Sequence, residues 1–356
     1  MELLSLFITS VMPVIKVLVV LAIGLFLATE SVDLLGPNAR HHLNNLVFYV
    51  FLPALIGCSI AKTSTVKTLE TLWFMPVNIF ISCIIGSVLG CILVKITKAP
   101  PCLKGLVIAC SSAANLGNML NIILPALCEE TNSPFGDSST CSTYGESYAS
   151  LSLAVSSVLL LLHECVNEEM YNKTCFIVKE TAEILSETLA EPLLVSHGIS
   201  EDNIYHVDLP DEGNQRALVV DSAPFHVIYS SIEFIGEAGI PSMTLIVGAN
   251  LLKGLKGSGV KTSLIVGILI IRNILLPASG IVVVKAAMHL GLVGSYSLYQ
   301  FTLLLQYAIP PAMNIGTILQ MLGTGESEFS VLMLWSYVVA AFSLTLWTAF
   351  YIWLVT

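Results

Sequence analysis

Residues 105–128 form an apolar run long enough to cross a bilayer, yet they contain AANLGNMLNIILP, in which Asn115, Asn118 and Asn121 recur at every third position before Pro125. In hydrocarbon an unpaired amide is costly, and a proline removes a backbone donor and frees a carbonyl that lipid cannot satisfy. Such a segment must face protein or a water-filled cavity. A counterpart lies far along the chain: YAIPPAMNIG, residues 307–316, interrupts another apolar span with Pro310 and Pro311 and follows them with Asn314. Two broken helices with amides beside the break, one in each half, point to the midplane binding site of a transporter.

The rest of the chain agrees with a membrane setting. Of its 356 residues 55% are apolar and only 11% charged, and the mean hydropathy is +0.84, outside the range of ordinary soluble domains. Apolar runs of about 20 residues, the unit that crosses a bilayer, occupy residues 4–29, 43–61, 72–94, 105–128, 147–163, 226–252, 262–288, 298–321 and 329–355. These nine runs predict an all-α polytopic membrane protein. The first lacks a basic n-region and carries Pro13 and Lys16, so it reads as a span rather than a signal peptide. Residues 164–224 are rich in acids, and their best helical candidate, AEILSETLAEPLLV from Ala182, is too short and acidic to span. The organisation expected is therefore residues 1–163 with five spans, a polar linker over 164–224, and residues 225–356 with four.

An internal repeat underlies this division. FLPALIGCSIAK from Phe51 and GIPSMTLIVGANLLKG from Gly239 each place a proline in mid-span and an alanine eight residues later, Ala61 and Ala249, with a lysine just beyond. In both halves a proline span, a plain span, a broken span and a final span follow in that order. Five spans per half would make the two broken helices run in opposite directions; with one span absent they run the same way. Positive charge favours the former. With a tenth span restored before residue 226, Arg40, Lys95, Lys98, Lys104, Lys253, Lys256 and Lys261 share one side against Lys62, Lys67 and Lys285, seven to three, whereas nine spans divide them five to five. In that topology both termini are non-cytosolic and the linker is cytosolic. Only Cys128 and Cys141 share a short non-cytosolic loop, which leaves a disulfide between them open. The sequon at Asn172 lies in the cytosolic linker and stays unmodified.

Lys16 and Arg272 fall inside spans and should face the interior or a cavity, because their burial in lipid is costly. Each reads either as an attractor of an anionic substrate or as a structural group, Arg272 pairing with Asn273 or with Glu233 or Glu237. Those two acids, one helical turn apart, are the nearest approach to a protonatable pair. There is no metal-ligand spacing, activated nucleophile or intramembrane aspartate pair, so an enzyme, a metal site and a cofactor are not expected. The net charge of −10 comes largely from loop acids, and nucleic acid is not an expected partner.

The opening LFITSVMPVIKVLVVLAIGLFLA, the ACSSAANLGNMLNIILPALC span, DSAPFHVIYSSIEFIGEAGIPSMTLIVGANLLKG and QYAIPPAMNIGTI together resemble the plant PIN-LIKES proteins, auxin carriers of the endoplasmic reticulum. The resemblance covers residues 1–165 and 219–356. It implies a ten-span inverted-repeat carrier, five plus five, of which five plus four are visible here, with the fourth and ninth spans crossing at proline breaks. It places the auxin carboxylate near that crossing, with Asn115, Asn118 and Pro125 on one span and Pro310, Pro311 and Asn314 on the other. The departure is the sixth span, whose place is held by the polar GISEDNIYHVDLPDEGNQRALVV.

An ionised, flat aromatic acid needs a compact positive potential and an apolar slot. A helix restarting after a break offers free N–H groups and about half a unit of positive charge at its N-terminus. Asn118 and Asn314 would add side-chain N–H groups, with Asn115 and Asn121 beside them. The competing reading of the asparagines is glue between helices, worth about 0.6–2 kcal/mol per contact. The function expected is facilitated movement of indole-3-acetate from cytosol into the endoplasmic reticulum lumen, lowering nuclear auxin signalling. The alternatives are a transport-incompetent short form that binds auxin or associates with full-length relatives, as a subunit or homo-oligomer, and a carrier of another organic anion.

Overall fold

A computed structural model describes residues 3–63, 72–129, 133–164, 223–257, 260–323 and 325–356. The described secondary structure is helical: α1 (Leu3–Leu27), α2 (Pro37–Leu46) running through a π turn into α3 (Leu52–Thr63), α4 (Phe74–Thr97), α5 (Pro101–Ser112), α6 (Leu116–Cys128) and α7 (Ser138–Glu164) in the first half. The second half holds α8 (Ala223–Glu237), α9 (Gly239–Gly257), α10 (Thr262–Ile270) continuing through the π turn Ile271–Leu275 into α11 (Leu276–His289), α12 (Ser297–Ala308), α13 (Asn314–Leu322) and α14 (Glu326–Val355).

By length and composition, five described helical stretches can cross a membrane: Pro37–Ser59, Phe74–Thr97, Val227–Leu255, Thr262–His289 and Glu326–Val355. The other four expected runs fall on α1, the α5–α6 pair, α7 and the α12–α13 pair, two of them interrupted so that neither half alone is long enough. The protein is an all-α polytopic membrane protein.

The helices pack as antiparallel neighbours where loops are short, α4 on α5, α6 on α7 and α11 on α12. α1 lies against α9 and α14. Its buried stripe, Val14, Val17 and Leu21, follows helical periodicity. Where α1 meets α9, Gly24 faces the backbone of Leu245 and Gly248 faces that of Leu21, each too close for a Cβ. This is the small-residue contact by which membrane helices gain packing energy without a hydrophobic driving force.

The pairing of α8–α9 with α2–α3 fixes the topology. Arg40 donates to Asn250 Oδ1 at 2.6 Å, Gly239 lies against Phe51, and Gly236 lies against Leu55. Residue numbers fall on one side as they rise on the other, so the two spans are antiparallel. Short loops make α7 antiparallel to α6 and carry the direction back to α2–α3, which places the end of α7 and the start of α8 on opposite faces of the bundle. The positive-charge pattern favoured two broken spans that run oppositely, and in the structure they run oppositely. Arg40, Lys95, Lys98, Lys104, Lys253 and Lys261 consequently cluster at one face, and Lys285 lies at the other. The polar linker expected over 164–224 lies outside the described residues apart from its two ends.

Cys128 and Cys141 are bonded across a separation of 13 residues, with Cα atoms 5.5 Å apart, tying the end of α6 to the start of α7. Beside this bond Asp137 accepts from the Ser139 hydroxyl and from the Thr140 N–H and hydroxyl, which hold its carboxyl below the usual range and cap α7.

Buried amides stitch the halves together. Asn78 on α4 donates to Gln306 Oε1 at 2.8 Å and to the Leu303 carbonyl at 3.0 Å, Gln306 donates to Ser152 Oγ at 2.9 Å, and the Tyr307 hydroxyl donates to Asn78 Oδ1 at 3.1 Å. Every amide atom in this group has a partner, the condition under which a buried polar network stabilises rather than destabilises.

Two outcomes follow from this packing. Thiol labelling of the denatured chain gains two reactive cysteines after reduction, and Cys141→Ser removes that gain; an unchanged thiol count would show that the bond does not form. Gly248→Ala costs about 1–3 kcal/mol of overpacking, read as a lower unfolding temperature in detergent, whereas Gly105→Ala, whose added methyl meets nothing within 4 Å, leaves it unchanged.

Candidate functional site

The two interrupted spans meet at their breaks. Ile309 is extended (φ −74°, ψ 139°) because the residue before a proline is driven out of the helical region, and Pro310 and Pro311 bring no N–H with which to continue α12. On the other span the break falls at Ala113–Asn115, with Ala113 also extended (φ −82°, ψ 123°). Ala114 and Pro311 form an isolated antiparallel bridge: the Asn115 N–H donates to the Pro310 carbonyl at 2.9 Å, and the Ala312 N–H donates to the Ala113 carbonyl at 3.1 Å.

Further donors complete the accounting that buried backbone demands. The Arg272 guanidinium donates to the Ala113 carbonyl. The Tyr337 hydroxyl, fully buried on α14, donates to the Pro311 carbonyl at 3.3 Å and accepts from Asn115 Nδ2 at 2.7 Å. Since the hydroxyl has one proton and the carbonyl only accepts, the Asn115 amide nitrogen is the group that must face Tyr337.

Beside the crossing lies a cavity of about 400 Å³, within the range of about 300–1,000 Å³ usual for small-molecule sites. Its walls include Leu52, Ile79, Leu153 and Met243, and its polar end is built by Ser112, Asn115 and Asn314. The first residues of α6 and α13 border it, so the N–H ends of both half-helices open there. No acid and no base is among the described lining residues.

The residues singled out from the sequence separate in the structure. Asn115 and Asn314 reach the cavity, and Pro310 and Pro311 form one break. Asn118 sits in the first turns of α6, but its side chain is outside the described residues. Asn121 is exposed and absent from the cavity wall, since three-residue spacing drifts around a helix of 3.6 residues per turn. Pro125 lies inside α6, ten positions beyond Asn115, and does not make the crossing.

Arg272 is 2% exposed, as a cation in a span requires, but its partner is the Ala113 carbonyl; Asn273 donates instead to Leu269. Lys16 departs from expectation. It is exposed, on the face of α1 that also shows Met12, Ile15 and Val19, opposite the buried stripe. Its long stem can carry the ammonium along the helix toward water, which removes the need for an interior partner. Glu237 is exposed and Glu233 half-buried on α8, and neither reaches the crossing. Tyr337 and the Asn78–Gln306 pair were not anticipated; isolated polar side chains inside apolar runs were the available signal.

Tyr337→Phe keeps the ring and removes the hydroxyl that joins Asn115 to Pro311. A loss of about 1–2 kcal/mol is expected, seen as earlier thermal unfolding of the purified protein; an unchanged transition would show that these bonds do not hold the crossing.

The family model described as Membrane transport protein matches residues 9–199 and 215–348. Three relatives from Arabidopsis thaliana are similar over at least four fifths of their length. Protein PIN-LIKES 3 is 42% identical, covering 99% of this chain and 99% of its own. Protein PIN-LIKES 1 is 42% identical over 100% of this chain and 81% of its own. Protein PIN-LIKES 4 is 41% identical over the full length of both. The chain, a membrane transporter rather than an enzyme, belongs to the PIN-LIKES family.

Proposed function

We propose that this protein is an auxin transport facilitator that moves indole-3-acetate from the cytosol into the lumen of the endoplasmic reticulum and so withdraws it from nuclear signalling. The observation that carries this reading is the crossing itself, where two half-helix N-termini open onto an apolar cavity of about 400 Å³. The carboxylate docks at the two N-termini, helped by Asn115 and Asn314, and the ring lies between Leu52, Ile79 and Met243. The PIN-LIKES relationship supports the substrate class.

Compartment and orientation rest on two further features. The six basic residues gathered at one face make that face cytosolic under the positive-inside rule. The disulfide between Cys128 and Cys141 lies at the other, which suits the oxidising lumen. Both termini are then lumenal, residues 1–163 and 225–356 are the two transmembrane repeats, and the connector leaves α7 on the cytosolic side.

A second reading is favoured by one specific observation. The alignment with PIN-LIKES 3 spans 389 positions and this chain has 356 residues, so at least 33 aligned positions have no residue here. Because nearly all of both chains is covered, these gaps are internal. A form short of one scaffold span would bind auxin or a full-length relative without transporting.

Uptake of labelled indole-3-acetate into vesicles holding only this chain, with benzoate as competitor, separates the two. Saturable uptake that Asn314→Ala lowers without changing insertion is the expected result. Absence of uptake by well-inserted protein would refute the carrier reading and leave the binding subunit.

A further inference from the structure

Arg272 lies in the π turn Ile271–Leu275, midway along the α10–α11 span, and is 2% exposed. It donates to a single described acceptor, the Ala113 carbonyl, and its Nε is buried without a partner. The titratable groups near it are Cys83, Cys110 and Tyr337, none of them a carboxylic acid. A guanidinium does not give up its proton in a protein, and an uncompensated charge in a low-dielectric interior is strongly unfavourable. Among the described residues, the crossing carries a positive charge with no counter-charge.

The position of this charge relative to the cavity gives it a use. Ala113, whose carbonyl it holds, lines the cavity, whereas Arg272 itself is not among the described lining residues, so the guanidinium is one residue removed from the polar wall. The N-termini of α6 and α13 add positive potential to the same end, and no described lining residue is acidic. That end of the cavity therefore has a positive potential suited to an anion.

We propose that Arg272 is the charge complement of a monoanionic carboxylate held at the crossing, and that it sets the preference of the site for an acid over its neutral analogue. This rests on the reading of the cavity as an organic-anion site and adds the residue that selects the ligand's charge. Arg272 also has a structural task, replacing the helical N–H that the Ala113 carbonyl lost at the break. Two variants separate the tasks: Arg272→Gln retains a donor without charge, and Arg272→Lys retains the charge.

The experiment is equilibrium binding of labelled indole-3-acetate, with indole-3-acetamide as competitor, to the purified full chain in lipid nanodiscs. The wild type is expected to prefer the acid by about tenfold or more. Arg272→Gln brings the ratio close to one by weakening the acid alone, and Arg272→Lys keeps most of the preference. An unchanged ratio in Arg272→Gln, or equal loss of acid and amide in both variants, overturns the proposal. Failure of the wild type to bind either indole ligand would reject the auxin reading, and the same comparison with benzoate and benzamide then decides the role of Arg272. A wild type with no preference for either acid overturns it.

Discussion

Two backbone hydrogen bonds between interrupted helices are the interaction on which the remaining structure depends. Each break exposes carbonyls that a membrane interior cannot solvate, and the breaks satisfy one another: Asn115 donates to Pro310 and Ala312 donates to Ala113. What this exchange leaves unmet determines the surrounding side chains. The second lone pair of the Ala113 carbonyl takes Arg272, and the Pro311 carbonyl takes Tyr337, which in turn orients Asn115. The cavity is then a by-product of stopping four helices at one point. At its polar end Ser112 and Asn115 are already held by hydrogen bonds to the Ala109 carbonyl and Tyr337.

Much of this was legible in the sequence because the second break has a local cause. Pro310 and Pro311 end α12 wherever the chain is placed. The first break has none: Ala113 and Ala114 are good helix formers, and they leave the helix because the opposing break supplies hydrogen bonds at that height. A cause lying some two hundred residues away leaves no local mark. That is why Pro125, the nearest proline, drew attention to a point ten residues too late, in a stretch where α6 continues through it. Arg272 was conspicuous as a cation in a span, but a backbone carbonyl exposed by a distant break could not be identified as its partner. Lys16 shows the reverse, a charge conspicuous in sequence that needs no partner because its stem is long.

The buried amides Asn78 and Gln306 occupy an intermediate position. Each was readable as a polar residue in an apolar run, and their pairing joins α4 of the first half to α12 of the second, two turns or less before the proline break. They therefore hold α12 in register with the first half, and with it the height at which Pro310 meets Asn115. Shifting α12 by one turn, about 5.4 Å, would separate both the amide pair and the bridge.

The crossing also constrains how the chain enters the membrane. Ala114 and Pro311 pair antiparallel, and α8–α9 lies antiparallel to α2–α3 through Arg40 and Asn250. Both relations require the end of α7 and the start of α8 to lie on opposite faces of the bundle. Inserted the other way, the second half would present Pro310 and the start of α13 from the wrong face, and the Ala113 carbonyl would find neither Ala312 nor Arg272. The site and the topology are thus one condition. Any ligand that binds at the crossing binds only to chains whose halves have inserted oppositely, so ligand binding reports the topology of this shortened chain as directly as it reports the site.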